Sequence, residues 1–180
     1  MIFISYIKDR LFNRRLFAEA KKIGGGNQEK AIHPSTAKEI TVLFLADSAE
    51  DRKIVDKWRD ANVKTGRKIK VVGYFEHEVG STSFDFTIVS ITDLNWYGVP
   101  RSKEVTRFQE ESTELLLRLG PPGHKVLDFL AATQPAGLKV GPFTPDSHHP
   151  YQLQYDARNS LKLKDQFEAI TQIFSFTNAH

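Results

Sequence analysis

The sequence predicts an α/β protein, a three-layer sandwich around a mainly parallel, flavodoxin- or Rossmann-like sheet of about five strands. Three observations support this fold class. Short apolar runs typical of buried strands alternate with longer stretches in which apolar residues recur every three or four positions, as on one face of a helix. The connections between these segments are short. Two stretches, residues 39–75 and 113–143, each have the order strand, helix, strand, the unit of a parallel sheet.

The N-terminal segment is predicted to be a basic amphipathic helix. Its pattern runs from residue 2 to 22, and three consecutive glycines end it. The apolar residues of one side are Phe3, Ile4, Ile7 and Leu11, with one of Phe12 or Leu16. The predicted organisation is the helix at 1–23, a Gly-rich linker at 24–36 and one α/β domain at 37–180.

The positive charge is concentrated at this end of the chain. Residues 1–30 hold seven Lys/Arg and three Asp/Glu, a net +4, so the rest of the chain carries −1 of the total +3. The cations available for docking are Lys8, Arg14, Arg15, Lys21 and Lys22. Two interpretations stay open. The helix docks on a membrane surface or a protein partner, or it folds back and packs on the domain. The near-neutral domain argues against a specific nucleic-acid surface.

The first strand–helix–strand unit starts with the clearest strand. Glu39 to Ala46 is apolar nearly throughout and rich in β-branched residues, which is typical of a central strand. Ser48 and Asp51 have the spacing of a capping box, which marks a helix start. Lys68 to Phe75 is the second strand. The alternating residues from Phe84 to Val89 then predict a short edge strand.

The second unit begins with a leucine-rich run from Glu114 to Leu119, which is too short for a helix. Pro121 and Pro122 follow, and proline is tolerated in a first helical turn because its missing N–H would be unpaired there. A helix with one buried face and a strand at Leu138–Val140 complete the unit. Residues 151–155 alternate as a last strand, and a C-terminal helix follows.

Composition restricts the class of protein. An apolar content of 40% and a charged content of 26% are those of a folded globular chain. The absence of cysteine excludes disulfides, thiolate metal sites and a cysteine nucleophile, and fits a reducing compartment. No apolar run has the length of a membrane span. The expected location is therefore cytoplasmic, with peripheral attachment at the inner membrane face as an additional expectation.

Ligands of open α/β sheets bind beyond the carboxyl ends of the strands. This rule selects a crevice whose candidate residues are Asp47, Ser48, Glu76, His77, Gly120, Gly123 and His124. The loop from Gly120 to Lys125 lacks the spacing of a phosphate loop, and its prolines remove N–H donors, so no cofactor is expected. The neighbouring His148 and His149 point apart in an extended loop, so no metal is expected. For Trp96 and Tyr97, ring size favours packing over ligand stacking.

Four segments resemble a bacterial family of small α/β proteins known only as a domain of unknown function. They are Ile7–Phe12, Asp93–Gly98, Glu114–Leu117 and Gly137–Gly141. The resemblance spans nearly the whole chain and implies no activity; members favour an aspartate where this chain has Glu114. A more local resemblance, over Glu114–Phe143, is to the acceptor half of heptosyltransferase-type glycosyltransferases, which need a second Rossmann-like domain.

Two functions remain as hypotheses. The first is a non-catalytic domain that acts by binding, with its N-terminal helix docked to a membrane surface or protein partner. The alternative is a small-molecule or nucleotide-binding protein, or a glycosyltransferase-like enzyme, that uses the crevice at the carboxyl ends of the strands.

Overall fold

The computed structural model describes residues 2–23, 32–145, 149–158 and 160–177. The described strands are β1 (Glu39–Leu45), β2 (Lys68–Phe75), β3 (Thr87–Ser90), β4 (Thr113–Arg118), β5 (Ala136–Pro142) and β6 (Leu153–Tyr155). The described helices are α1 (Ile2–Ile23), α2 (Ala49–Val63), α3 (Lys103–Glu110), α4 (Lys125–Thr133) and α5 (Leu163–Thr177).

The described strands form one parallel sheet in the order β3-β2-β1-β4-β5-β6. The predicted Rossmann-like fold class is confirmed, with six strands in place of about five. β1 is the first strand and lies at the centre, paired with β2 on one side and β4 on the other. The chain order therefore reverses between β1 and β4, which is the switch point where a ligand crevice is expected.

The two faces of the sheet are covered by different helices because successive strand residues point to opposite sides. Val42 and Phe44 of β1 belong to the apolar cluster that also contains Val55 of α2 and Phe167 of α5. Leu43 belongs to the opposite cluster, which contains residues of α3 and α4. Helices α2 and α5 thus cover one face, and α3 and α4 cover the other.

Helix α1 adds a further layer outside α4. Phe12 is only 6% exposed, and its ring lies 5.6 Å from that of Phe129 on α4, centroid to centroid. Leu16, one turn later, packs against the same cluster. Ile4 is 59% exposed. The packed side of α1 is therefore centred on Phe12 and Leu16, and not on the apolar side that begins with Ile4.

The predicted linker divides at the boundary of the described residues. Its first part, 24–31, lies outside them. In the second part, Ile32 packs against the core and the carbonyl of Ser35 accepts a hydrogen bond from Arg67 at 2.9 Å. Residues 32–36 thus belong to the domain. None of the helices among the described residues combines the length and apolarity needed to cross a membrane.

Candidate functional site

Four of the crevice candidates lie in contact at the carboxyl edge of the sheet. The Asp47 carboxylate lies 2.7 Å from Nδ1 of His77 and accepts the backbone N–H of Glu76 at 3.2 Å. The Glu76 carboxylate lies 3.2 Å from Nε2 of His124. β1, β2 and the start of α4 supply these groups, because the carboxyl ends of parallel strands meet at one edge.

His124 has a structural role as the N-cap of α4. Its Nδ1 accepts the backbone N–H of Leu127 at 3.3 Å, so this nitrogen carries no proton. The proton of the neutral ring then lies on Nε2, which donates to Glu76. Ser48 caps α2 in the same way, by accepting the N–H of Asp51 at 3.2 Å. In each helix start one backbone N–H is thus satisfied by a side chain of the chain itself.

The loop between β4 and α4 is closed by a side chain from α5. The N–H of Gly120 donates to Oε1 of Gln166 at 2.8 Å. Gly120 and Gly123 both have positive φ, +111° and +71°, so these glycines shape the turn. The N–H group of Gly120 is therefore not free for a phosphate.

A buried ion pair beneath the crevice escaped the sequence reasoning. Arg118, the last residue of β4, is 0% exposed, and its Nη2 lies 3.0 Å from Oδ1 of Asp128 on α4. The hydroxyl of Tyr151 donates to the same oxygen at 2.5 Å. Burial is the main cause that raises the pKa of Tyr151, so the phenol stays protonated as a donor. The sequence did contain two signals of this pair. They are an arginine at the end of a leucine run and an aspartate inside an apolar helix.

The end of β4 is also held from the other face of the sheet. The Tyr155 hydroxyl lies 3.0 Å from the carbonyl oxygen of Arg118 and 2.9 Å from Oε1 of Gln166, and these two acceptors share its one proton. Burial raises the pKa of Tyr155 as well. His149 accepts the N–H of Tyr151 at 3.2 Å, and His148 lies outside the described residues. These contacts fix the position of the strand end.

Lys139 of β5 is a second buried cation. It is 6% exposed, and its Nζ donates to the carbonyl of Ala132 near the end of α4 at 3.0 Å. Desolvation by burial lowers the pKa of Lys139 to about 8. The ammonium form is therefore disfavoured in the folded state relative to the unfolded chain.

This burial predicts a rise in stability with pH. Between about pH 8 and pH 10.5 the unfolded chain holds a proton on Lys139 that the folded chain has released, so the free energy of unfolding increases with pH. The total gain is about 3 kcal/mol. The free energy of unfolding in urea is measured across this pH range for the natural chain and for Lys139→Met. The difference between the two curves gives the contribution of Lys139. The tyrosines, whose raised pKa values lower the stability above pH 10, contribute equally to both curves. Parallel curves for the two proteins would contradict this assignment.

The five predicted docking cations separate in the structure. Arg15 pairs with Glu19, and Lys8 lines a cleft beside α4. The side chain of Lys22 lies outside the described part of the chain. Arg14 and Lys21 are exposed on the side of α1 away from α4, because each residue turns the helix by about 100° and both lie opposite Phe12. Arg10 joins them, although the sequence analysis did not select it.

These residues define the outer face of α1, the side opposite Phe12 and Leu16. Its members are Ile4, Tyr6, Ile7, Arg10, Leu11, Arg14, Phe17 and Lys21. Tyr6 and Phe17 are 61% and 56% exposed. The two acids of α1 lie elsewhere, since Asp9 pairs with Lys125 at 2.6 Å and Glu19 pairs with Arg15. The outer face thus combines exposed apolar side chains with three cations and no acid.

The fold and these contacts define an α/β protein with Rossmann strand order whose carboxyl edge carries the side chains of Asp47, Glu76, His77 and His124. The chain belongs to a family of unknown function (DUF6913), whose family model matches residues 8–173. No curated protein and no solved structure matches the chain.

Proposed function

We propose that the protein is a non-catalytic binding domain that attaches to an anionic membrane surface through the outer face of α1. The composition of that face carries the proposal. Exposed apolar side chains would enter the headgroup region, and the cations Arg10, Arg14 and Lys21 would pair with lipid phosphates. None of these three cations has an ion-pair partner within the described ranges of the chain.

The dimensions of α1 fit this role. The helix has 22 residues and is therefore about 33 Å long, so it offers several points of attachment along one surface. Its inner side is already packed through Phe12 and Phe129. Because the helix is already held against the domain, binding does not require the ordering entropy that a free peptide loses on a membrane.

The crevice at the carboxyl edge is not part of the proposal. The N–H of Gly120 is satisfied by Gln166, and His124 caps α4. Asp47 and Glu76 place carboxylates at the edge where a nucleotide would bring phosphates, which opposes such a ligand. A protein partner for the outer face remains an outcome that the experiment below distinguishes.

Co-sedimentation with lipid vesicles tests the proposal. The full chain is expected to pellet with vesicles that contain phosphatidylglycerol, to pellet much less with phosphatidylcholine alone, and to be released by high salt, which screens the cations. The absence of binding to anionic vesicles at low salt would rule out the membrane and return a protein partner to consideration. Equal binding to both vesicle types would contradict the role of the cations.

A further inference from the structure

A cleft lies beside the inner side of α1. It has a volume of about 380 Å³ and is lined by α1, the segment Ile91–Gly98 and the first turn of α4. Its walls include Lys8, Phe12, Trp96 and Lys125. The Asp93–Gly98 segment, one of the four on which the family resemblance rests, thus supplies one wall.

Trp96 is exposed on a firmly built turn. The N–H of Gly98 donates to the carbonyl of Asn95 at 2.9 Å, and Gly98 has a φ of +89°. Oδ1 of Asn95 accepts the N–H groups of Tyr97 and Val99 at 3.1 and 3.0 Å. Tyr97 packs against the cluster of Phe12, whereas Trp96 is 63% exposed. The expectation that ring size favours packing is therefore wrong for Trp96, whose indole is exposed beside the cleft.

The amide of Asn95 has an unmet donor. The Oδ1 atom of Asn95 accepts two backbone N–H groups. These two hydrogen bonds fix the orientation of the amide and identify the remaining amide atom as the donor Nδ2. Nδ2 is buried and has no hydrogen-bond partner among the described residues. Asn95 also lines the cleft. A buried donor without an acceptor is costly, but Nδ2 has no accessible surface and therefore does not face the cleft, so a ligand there does not reach it.

One of the two lysines that line the cleft has no ion-pair partner among the described residues. Lys125 is paired with Asp9 at 2.6 Å, so its charge is already balanced. Lys8 has no ion-pair partner in the part of the chain that the structure describes. A ligand in the cleft therefore meets a flat aromatic face and a single free ammonium group.

We propose that this cleft binds a small planar ring that carries an anionic group, a carboxylate or a phosphate. The ring stacks on Trp96, and the anionic group pairs with Lys8. The cleft volume lies at the lower end of the range for ligand sites, which limits the ligand to about one ring system. This site is independent of the membrane surface proposed above.

The two tryptophans of the chain provide the assay. Two indole N–H resonances are expected by NMR, and Trp96→Phe assigns them. Trp58, stacked on Phe167 at 4.9 Å on the other side of the sheet, is the internal control. Benzoate and benzyl phosphate are titrated into the full chain without vesicles, next to cyclohexanecarboxylate, which lacks the planar ring, and benzyl alcohol, which lacks the charge.

Saturable shifts of the Trp96 resonance alone, with an affinity on the order of tenfold higher for an anionic ring than for either control, are expected. The stronger of the two anionic probes tells whether the site prefers a carboxylate or a phosphate. Lys8→Gln should lower the affinity for the anionic rings roughly fivefold and leave the affinity for benzyl alcohol unchanged. The absence of a saturable Trp96 shift with both anionic rings, or equal binding of cyclohexanecarboxylate, would overturn the proposal. Because no lipid is present, this outcome says nothing against membrane binding.

Discussion

Asp128→Asn is expected to lower the free energy of unfolding by about 3–5 kcal/mol. Arg118 is fully buried, and Asp128 is its one ion-pair partner among the described residues. The asparagine keeps the shape of the aspartate and can still accept from Tyr151, so the substitution removes mainly the charge. An unpaired guanidinium is then left in the core, where water cannot replace the lost carboxylate. Urea unfolding monitored by circular dichroism measures the loss.

Asp9→Asn is the matched control for this variant. Asp9 forms the same kind of pair with Lys125, but both side chains are exposed, so the loss should be less than about 1 kcal/mol. Replacing both partners of this pair, Arg118→Met with Asp128→Leu, should recover most of the stability because no charge remains unpaired. A cost for Asp128→Asn no greater than that for Asp9→Asn would show that the buried pair does not matter.

Arg10→Glu with Arg14→Glu is expected to weaken binding to anionic vesicles by on the order of 100-fold or more. Each basic residue near an anionic surface contributes about 1 kcal/mol, and reversal adds repulsion to the lost attraction. Both side chains lie on the outer face of α1, one helical turn apart, and both are exposed. The fold should not change, because Phe12 and Leu16 hold the helix from the other side.

Lys53→Glu with Lys57→Glu is the control for total charge. These lysines have the same four-residue spacing on α2, which covers the opposite face of the sheet. The net charge of the two variants is equal, so a general effect of charge would weaken both. A similar loss for both variants would contradict a specific role for α1, and a loss confined to the Arg10 and Arg14 variant is expected.

The strands and most helices could be predicted because their patterns are local. Apolar runs such as 39–46 and 114–119 allow only short buried strands in this context. Strand order was beyond the sequence, since it depends on which strands pair across long connections. The central place of β1 between β2 and β4 is such a tertiary property.

The packed side of α1 could not be read from periodicity for a different reason. Apolar residues occur all around this helix, so Ile7 with Leu11 and Phe12 with Leu16 are equally good four-residue pairs. Contact with Phe129 of α4 selects the second pair. That contact determines which residues of α1 remain on its outer face. The absence of acidic residues from this face could therefore not be predicted from the sequence alone.

The crevice shows how far a topological rule extends. The residues that it selected, such as Asp47 and His77, lie together because they follow strand ends, and their role in binding stays a prediction. It could not tell that Gln166, from the last helix, would fill the position beside Gly120. Arg118 was overlooked because it lies within a leucine-rich run. The pattern of such a run predicts a buried strand and does not indicate a role for a single charged residue in it.

A fluorescent label at a single substituted position tests membrane attachment through α1 most directly. The chain has no cysteine, so Tyr6→Cys gives one attachment point for an environment-sensitive fluorophore on the outer face of α1. Lys164→Cys on α5 is the control, because α5 covers the opposite face of the sheet. With anionic vesicles, the label at residue 6 should shift to the blue and be quenched by brominated acyl chains, while the label at residue 164 stays unchanged. An unchanged label at residue 6, or equal changes at both positions, would contradict membrane attachment through α1.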